Sequence, residues 1–167
     1  MTARPVSTAL LTLALVLAAV TAPAAPPEGW RFLGFDEALR QAQAENRPVF
    51  LYFGRQGCPS CEQTNRESFT DPEVQRRYRE HYVLAYVDSE GGRRLSLPSG
   101  ERISEMELGV RLQVFGTPFF YFMAPDGTPI LRAPGYQSAS EFILYDRFVS
   151  EGHYKSQTLS EFKAAQS

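Results

Sequence analysis

The segment VFLYFGRQGCPSC, residues 49–61, carries the clearest structural signal in the sequence. Its first five residues form an unbroken apolar run, rich in β-branched and aromatic side chains, with proline before it and glycine after it. A run this short predicts a buried strand rather than a helix. A helix is expected to begin at about Pro59, which places Cys58 and Cys61 at the junction between the strand and the helix.

The order of the remaining predicted elements indicates the fold class. Apolar runs predict further strands at about 30–35, 83–87, 119–123 and 128–133, and cap signals predict helices at about 37–46, from 59, from 70, at 105–114, from 138 and from 158. Residues 88–104 contain glycine and proline and predict a loop or surface insertion. Strands separated by helices imply parallel crossovers, and the final hairpin adds an antiparallel pair. The prediction is an α/β fold, with a mixed central sheet flanked by helices on both faces.

Length and charge limit the classes of function. The chain has 167 residues, the length of one domain, and we expect it to be a monomer. Lys+Arg is 17 and Asp+Glu is 19, so the net charge is −2 and there is no basic excess for binding a phosphate backbone. No nucleic-acid partner is therefore expected. Two cysteines are too few for a small scaffold held together by disulfides.

The first 24 residues have the pattern of a secretory signal peptide. Arg4 supplies a positive charge, residues 9–20 are mostly apolar, and Ala22 and Ala24 are the small residues that an export peptidase reads. The alternative is an uncleaved N-terminal anchor, although the apolar run is short for a membrane span. We therefore expect residues 1–24 to be removed and residues 25–167 to form a periplasmic or secreted domain. In such a compartment two neighbouring thiols form a disulfide unless something keeps them reduced.

The CPSC motif, residues 58–61, predicts redox chemistry. Residues three apart on a helical turn are neighbours, so the two sulfurs can form a disulfide. Cys58 lies at the start of the helix, where unpaired N–H groups and the helix dipole favour a thiolate. Cys61 lies one turn further on, where it is expected to be more buried and to stay protonated until needed. Cys58 is therefore the predicted attacking sulfur and Cys61 the predicted resolving sulfur, and both are candidate catalytic residues.

Other interpretations of the two cysteines remain open. A static disulfide across four residues would remove only roughly 2 kcal/mol of unfolded-state entropy, which is little for a stabilising bridge. In that case the protein would be a non-catalytic binding module. A metal site needs more ligands, and His81 and His153 are not spaced as a pair. A copper-handling role for the two thiols remains a further alternative. Residue 62 is Glu rather than His, so the motif is not a c-type haem attachment site.

A strand, a C-x-x-C motif, a helix and then Gly116-Thr117-Pro118 before a strand together resemble the thioredoxin superfamily, over about residues 30–150. The resemblance implies a thioredoxin-like fold in which Pro118 has a cis peptide bond and faces the two cysteines. It also implies that the backbone of Thr117 pairs with an extended segment of the substrate. With Thr117 and Pro118, we assign Gly57 and Pro59 to the substrate-binding surface, because they flank Cys58.

A closer resemblance rests on Phe53-Gly54 through Cys61, on the insertion before the third helix, on Gly135-Tyr136 and on the tail around Tyr154-Lys155. In these features the sequence is similar to exported thioredoxin-like proteins of sulfur-oxidation gene clusters, the SoxW type. This resemblance implies an oxidoreductase that works in the reducing direction on protein disulfide or thiol substrates. It also implies that a membrane thiol carrier donates the electrons. No dissociable cofactor and no metal are expected, because the cysteine pair itself carries the two electrons.

The sequence also departs from thioredoxins proper. Gly57 stands where they have tryptophan, and Tyr52 stands where they have a buried aspartate, so the usual proton acceptor for Cys61 is missing. Glu62 or a water molecule are the alternatives, although Glu62 is expected to be a solvated helix residue. Arg55 is expected either to lower the pKa of Cys58 or to be exposed.

Overall fold

A computed structural model describes Pro27 and residues 29–166. The elements follow in the order α1 (Phe35–Glu45), β1 (Val49–Gly54), α2 (Pro59–Glu67), α3 (Pro72–His81), β2 (Val83–Asp88), β3 (Arg94–Ser96), β4 (Arg102–Ser104), α4 (Glu105–Arg111), β5 (Phe119–Met123), β6 (Pro129–Pro134), α5 (Ala139–Ser150), a short 3-10 helix (His153–Lys155) and α6 (Leu159–Ala164). The predicted α/β fold is confirmed, and the strand and helix around the cysteine motif lie where the sequence predicts them.

The central sheet has four strands in the order β2-β1-β5-β6. β1 is parallel to β2, as the crossover through α2 and α3 predicts. β5 is antiparallel to β1, so the expectation of parallel crossovers is wrong for this strand. The connection from β2 to β5 contains the β3–β4 hairpin as well as α4, so it is not the simple helical crossover from which a parallel strand is expected. β6 completes the sheet as the antiparallel partner of β5.

Alternation along the strands produces two cores, one on each face of the sheet. Phe50, Tyr52, Phe120 and Phe122 face a cluster that includes residues of α2, α3 and α5. The alternate strand residues face a second cluster, formed with α1, α4 and the β3–β4 hairpin: Val49, Leu51, Phe53, Phe119, Tyr121 and Met123. The central strands are therefore buried on both sides, which explains why their sequences are continuous apolar runs.

Two local predictions are wrong. Residues 30–35 do not form a strand; Leu33 makes one isolated bridge to Ala85, and α1 already begins at Phe35 with Gly34 as its N-cap. Residues 88–104 are not only a loop, because they contain the β3–β4 hairpin, which buries Leu95 and Ile103 against the second core. Strands of three residues give too short an alternation to be recognised in the sequence.

Helix starts are better predicted than helix ends. Ser104, Ser138 and Thr158 each form a capping box with the glutamate three residues later, and Asp71 caps α3. Such caps depend on local sequence alone, which is why they can be recognised without the fold. α4 ends at Arg111, three residues before the predicted end, because Gln113 has a positive φ of 57°.

A buried carboxylate joins α3 to α5. Asp146 is fully buried, and its two carboxylate oxygens accept hydrogen bonds from Arg77 at 3.0 Å and contact His81 Nδ1 at 2.8 Å. The side chain of His81 is half-buried in this cluster. The cluster joins α3 to α5, and within the described residues neither cysteine is a partner of Asp146.

No helix within the described residues is both long and apolar enough to cross a membrane. The predicted signal peptide, residues 1–24, lies outside the described residues.

Candidate active site

The cysteine motif begins at the N-terminus of α2. Cys58 is the N-cap residue of this helix, and Pro59 occupies the first helical turn, where its missing N–H costs no hydrogen bond. The backbone N–H of Cys61 donates to Cys58 Sγ at 3.1 Å, so the sulfur takes the place that a serine or aspartate oxygen usually takes in a cap. The end of β1 and the start of α2 thus fix the position of the sulfur.

Cys58 and Cys61 form a disulfide, and their Cα atoms are 5.2 Å apart. The expected difference in burial is absent, because Cys58 is 3% exposed and Cys61 is 4% exposed. Thr117 covers Cys58 from outside the motif, which sequence spacing alone does not reveal. The residues around Cys58 are nonetheless exposed, namely Gln56, Gly57 and Pro59, so the disulfide lies directly beneath the surface.

The loop before β5 faces the disulfide. The Thr117–Pro118 peptide bond is cis, as the sequence resemblance implies. The Thr117 hydroxyl donates to Cys58 Sγ at 3.3 Å, and the Thr117 carbonyl oxygen lies 3.4 Å from the same sulfur. A disulfide sulfur has no proton to donate, so this second approach is a contact rather than a hydrogen bond. Two residues predicted to bind substrate, Thr117 and Pro118, therefore lie beside the predicted attacking sulfur.

Gly57 and Pro59 occupy the exposed surface on either side of Cys58. Gly57 has a φ of 64°, in the left-handed region that favours glycine, and a Cβ atom there would meet nothing within 4 Å. Backbone conformation therefore explains why a glycine precedes Cys58 in this chain. Apart from its two chain neighbours, no residue lies within 4 Å of that position, so the surface beside Cys58 is open there.

Beneath the motif the environment is aromatic rather than acidic. Cys58, Cys61 and Tyr52 belong to the same buried cluster, and burial raises the pKa of Tyr52 far above the neutral range. Tyr52 thus stays protonated at neutral pH and does not accept a proton as a carboxylate would. The rings of Tyr52 and Tyr86 pack against each other, with 5.3 Å between their centroids. A Cβ atom on Gly54 would lie 2.9 Å from the Tyr86 hydroxyl oxygen, so a larger residue there would displace Tyr86.

The charged residues near the motif are engaged elsewhere. Glu62 is exposed and lies 3.9 Å from Arg66, as expected for a solvated helix residue, so it is not placed to accept a proton from buried Cys61. Arg55 lies 3.8 Å from Glu90, so its positive charge is shared with a carboxylate. Of the two expectations for Arg55, the structure shows the partly exposed ion pair rather than a contact with Cys58.

Phe115 is the residue of this region that the sequence analysis did not single out. Its side chain is 90% exposed, three residues before Pro118. It borders a cleft of about 550 Å³ on one side of the loop and a smaller one of about 230 Å³ on the other. A phenylalanine beside valine and glycine predicts burial, and only the fold shows that it projects into solvent.

Within residues 29–166, no three or more histidine, cysteine, aspartate or glutamate side chains are placed to hold a metal ion together.

The fold and this cysteine site define a thioredoxin-like protein. A model of the family described as "Thioredoxin-like domain" matches residues 35–149, and the chain belongs to this family. The match runs from α1 to the last turns of α5, and it includes the cysteine motif and the cis-proline loop.

A curated protein is similar to part of this chain. The "Thiol:disulfide interchange protein DsbD" of Ralstonia nicotianae is 31% identical over 110 residues, which are 65% of this chain. The match is only 16% of the DsbD protein, so the chain spans about a sixth of the length of this relative.

Two solved structures share the fold. A thioredoxin from Thermus thermophilus is 34% identical, with a TM-score of 0.58 over 71% of this chain and 85% of that one. A thioredoxin-fold protein from Helicobacter pylori has a TM-score of 0.66 at 23% identity, over 72% of this chain and 82% of that one.

Proposed function

We propose that the protein is a thiol–disulfide oxidoreductase that acts on disulfides or thiols of partner proteins. In the reducing direction the Cys58 thiolate attacks one sulfur of the partner's disulfide, which forms a mixed disulfide and releases the other partner sulfur as a thiolate. Cys61 then loses its proton and attacks Cys58 Sγ. The Cys58–Cys61 disulfide forms again, and the partner leaves with two thiols. It has gained two electrons from the cysteine pair, one proton from Cys61 and one proton from solvent.

The pair of donors on Cys58 Sγ carries this proposal. The Cys61 N–H at 3.1 Å and the Thr117 hydroxyl at 3.3 Å both point at this sulfur, and the N-terminus of α2 adds the positive end of a helix dipole. In the reduced protein the same donors stabilise a thiolate on Cys58. No such set of donors surrounds the sulfur of Cys61 within the described residues, so the two cysteines differ in chemistry although they are equally buried.

Direction, location and electron source belong to the same proposal. The resemblance to SoxW-type proteins supports a reducing role, with electrons from a membrane thiol carrier and partners in sulfur oxidation or cytochrome c maturation. The pattern of residues 1–24 supports export, which leaves residues 25–167 as a monomeric periplasmic or secreted thioredoxin-like domain with α6 as a short C-terminal extension. The chemistry uses the cysteine pair alone, without a dissociable cofactor.

Trapping the mixed disulfide tests the proposal. Cys61→Ser should accumulate adducts with partner proteins that dithiothreitol releases, because the intermediate on Cys58 can no longer be resolved. Cys58→Ser is the matched control, and it should accumulate far fewer adducts. If Cys58→Ser traps as well as Cys61→Ser does, the assignment of the attacking sulfur is wrong. If neither traps and the unmodified protein does not reduce insulin, the enzymatic function is wrong.

One observation favours the alternative of a binding module with a structural disulfide: both cysteines are nearly fully buried. A structural bridge should have a reduction potential below about −300 mV, and its thiols should resist alkylation after reduction. A reactive pair should have a higher potential and a rapidly alkylated Cys58.

A further inference from the structure

Phe115 is exposed far beyond what a folded chain needs. Three large hydrophobic side chains within residues 29–166 are more than half exposed, namely Met106, Val110 and Phe115, and Phe115 is the extreme at 90%. Burying such a side chain against a partner removes a large apolar surface from water and is favourable, so the exposed Phe115 next to the cysteine site indicates a binding surface.

The cleft beside Phe115 is mostly apolar, and it shares Thr117 with the cysteine site. Phe115, Thr117, Pro118, Phe119 and Pro134 line it, and its volume is about 550 Å³. Thr117 is the residue that contacts Cys58 Sγ, so a polypeptide that reaches the sulfur lies within one or two residues of this cleft. Gly116 also lines the cleft, and a Cβ atom there would meet nothing within 4 Å apart from its two chain neighbours.

Arg132 adds a charge to the same cleft. It is exposed on β6 and lines the cleft, and its guanidinium donates to the Gln113 side-chain oxygen at 3.4 Å. Within residues 29–166 it forms no ion pair with a carboxylate, unlike Arg55 on the other side of the loop. The cleft therefore offers an apolar wall and a positive charge that is not neutralised by a neighbouring carboxylate.

We infer that this cleft selects partner proteins by the sequence around their reacting cysteine. The occupant is an extended segment with a large aliphatic side chain that packs against Phe115 and an acidic side chain that pairs with Arg132. The inference rests on the proposed function, since the segment is held while its sulfur is bonded to Cys58. Phe115 and Arg132 are specificity-determining residues and take no part in the electron transfer.

Cystine peptides that differ at single positions test this inference. The reduced protein is mixed with disulfide-linked peptides in which a residue flanking the cysteine is Leu or Ala, and another is Glu or Gln, and kcat/KM is measured for each. We expect a preference of about tenfold for Leu over Ala and a smaller, salt-sensitive preference for Glu over Gln. Phe115→Ser should abolish the first preference and keep the second, and Arg132→Gln should do the reverse.

Val110→Ser is the matched control, because it removes another exposed hydrophobic side chain from the adjacent helix α4. It should leave both preferences unchanged.

The outcomes separate the two proposals. A wild-type protein that reduces all peptides at equal rates overturns this inference and leaves the oxidoreductase function intact. A protein that reduces neither the peptides nor a small disulfide overturns the function itself. The remaining alternative is that a second copy of the chain occupies the cleft, and the oligomeric state measured by sedimentation at the assay concentration tests it. If the wild type is a dimer and Phe115→Ser is a monomer, the partner-binding inference is overturned.

Discussion

Thr117→Val is the most informative single substitution at the cysteine site. It keeps the shape of the side chain but removes the hydroxyl that donates to Cys58 Sγ at 3.3 Å. A hydrogen bond to a charged group contributes about 1.5–3 kcal/mol, and the weak acceptor strength of sulfur places this one near the lower limit. The loss of about 1.4 kcal/mol raises the pKa of the reduced Cys58 thiol and lowers the ratio of thiolate to thiol by about tenfold.

Thr117→Val should lower the reaction rate at low pH and raise it at high pH. Thiolates of higher pKa are stronger nucleophiles, with a Brønsted coefficient of about 0.4–0.5. A tenfold fall in the thiolate ratio is therefore partly offset by an increase of about threefold in intrinsic reactivity. At a pH well below the pKa of Cys58, Thr117→Val should react with a small disulfide about threefold more slowly than the wild type. At a pH above both pKa values it should react about threefold faster.

Stopped-flow measurements of the reduced protein against a small disulfide, from pH 5 to pH 10, give the complete profile. Thr117→Ser keeps the hydroxyl and should restore the wild-type profile. Thr70→Val, which removes an exposed hydroxyl bonded to the Arg66 carbonyl, should not move it. A Thr117→Val profile that falls equally at every pH would refute the reasoning, because it would show a steric effect rather than a change in thiolate stability.

Three further substitutions test the framework of the fold. Asp146→Asn breaks the buried salt bridge to Arg77 and should lower the free energy of unfolding in urea by about 3 kcal/mol, while exchange with a small disulfide is unchanged. Hydrogen bonds from Arg76 and then Arg77 lower the pKa of Glu73 to about 2, below its unfolded value. The contribution of Glu73 to the free energy of unfolding is therefore present above about pH 4.5 and is lost as the pH falls towards 2. Glu73→Gln should flatten this part of the stability profile, and NMR titration of the Glu73 carboxyl checks the pKa. Ser138→Ala removes the capping box of α5 and should cost about 1 kcal/mol in the same urea experiment.

The parts of the fold that depend on neighbouring residues are predicted well. Strand β1 is recognisable because an apolar run is bounded by Pro48 and Gly54. Helix α2 is recognisable because Pro59 follows its cap residue, Cys58. Ser138 and the glutamate three residues later form a capping-box pattern that predicts the start of α5. Each of these signals is complete within a few residues, so no knowledge of the fold is needed.

The parts that depend on distant residues are not predictable in this way. The direction of β5 is set by the whole connection from β2, and the burial of Cys58 is set by Thr117, which is 59 residues away in sequence. The contact between His81 and Asp146 spans 65 residues and joins two helices. The exposure of Phe115 likewise depends on which side of the loop faces the core, whereas its apolar character alone predicts a buried side chain.

A redox titration of the Cys58–Cys61 couple at pH 7, in glutathione and dithiothreitol buffers, addresses the reactivity of the pair without any partner protein. We expect a midpoint between about −270 and −180 mV, the range of exchange-active thioredoxin-fold proteins, because donors on Cys58 Sγ stabilise the reduced form. A midpoint below about −300 mV would show instead that the disulfide is a permanent structural bond.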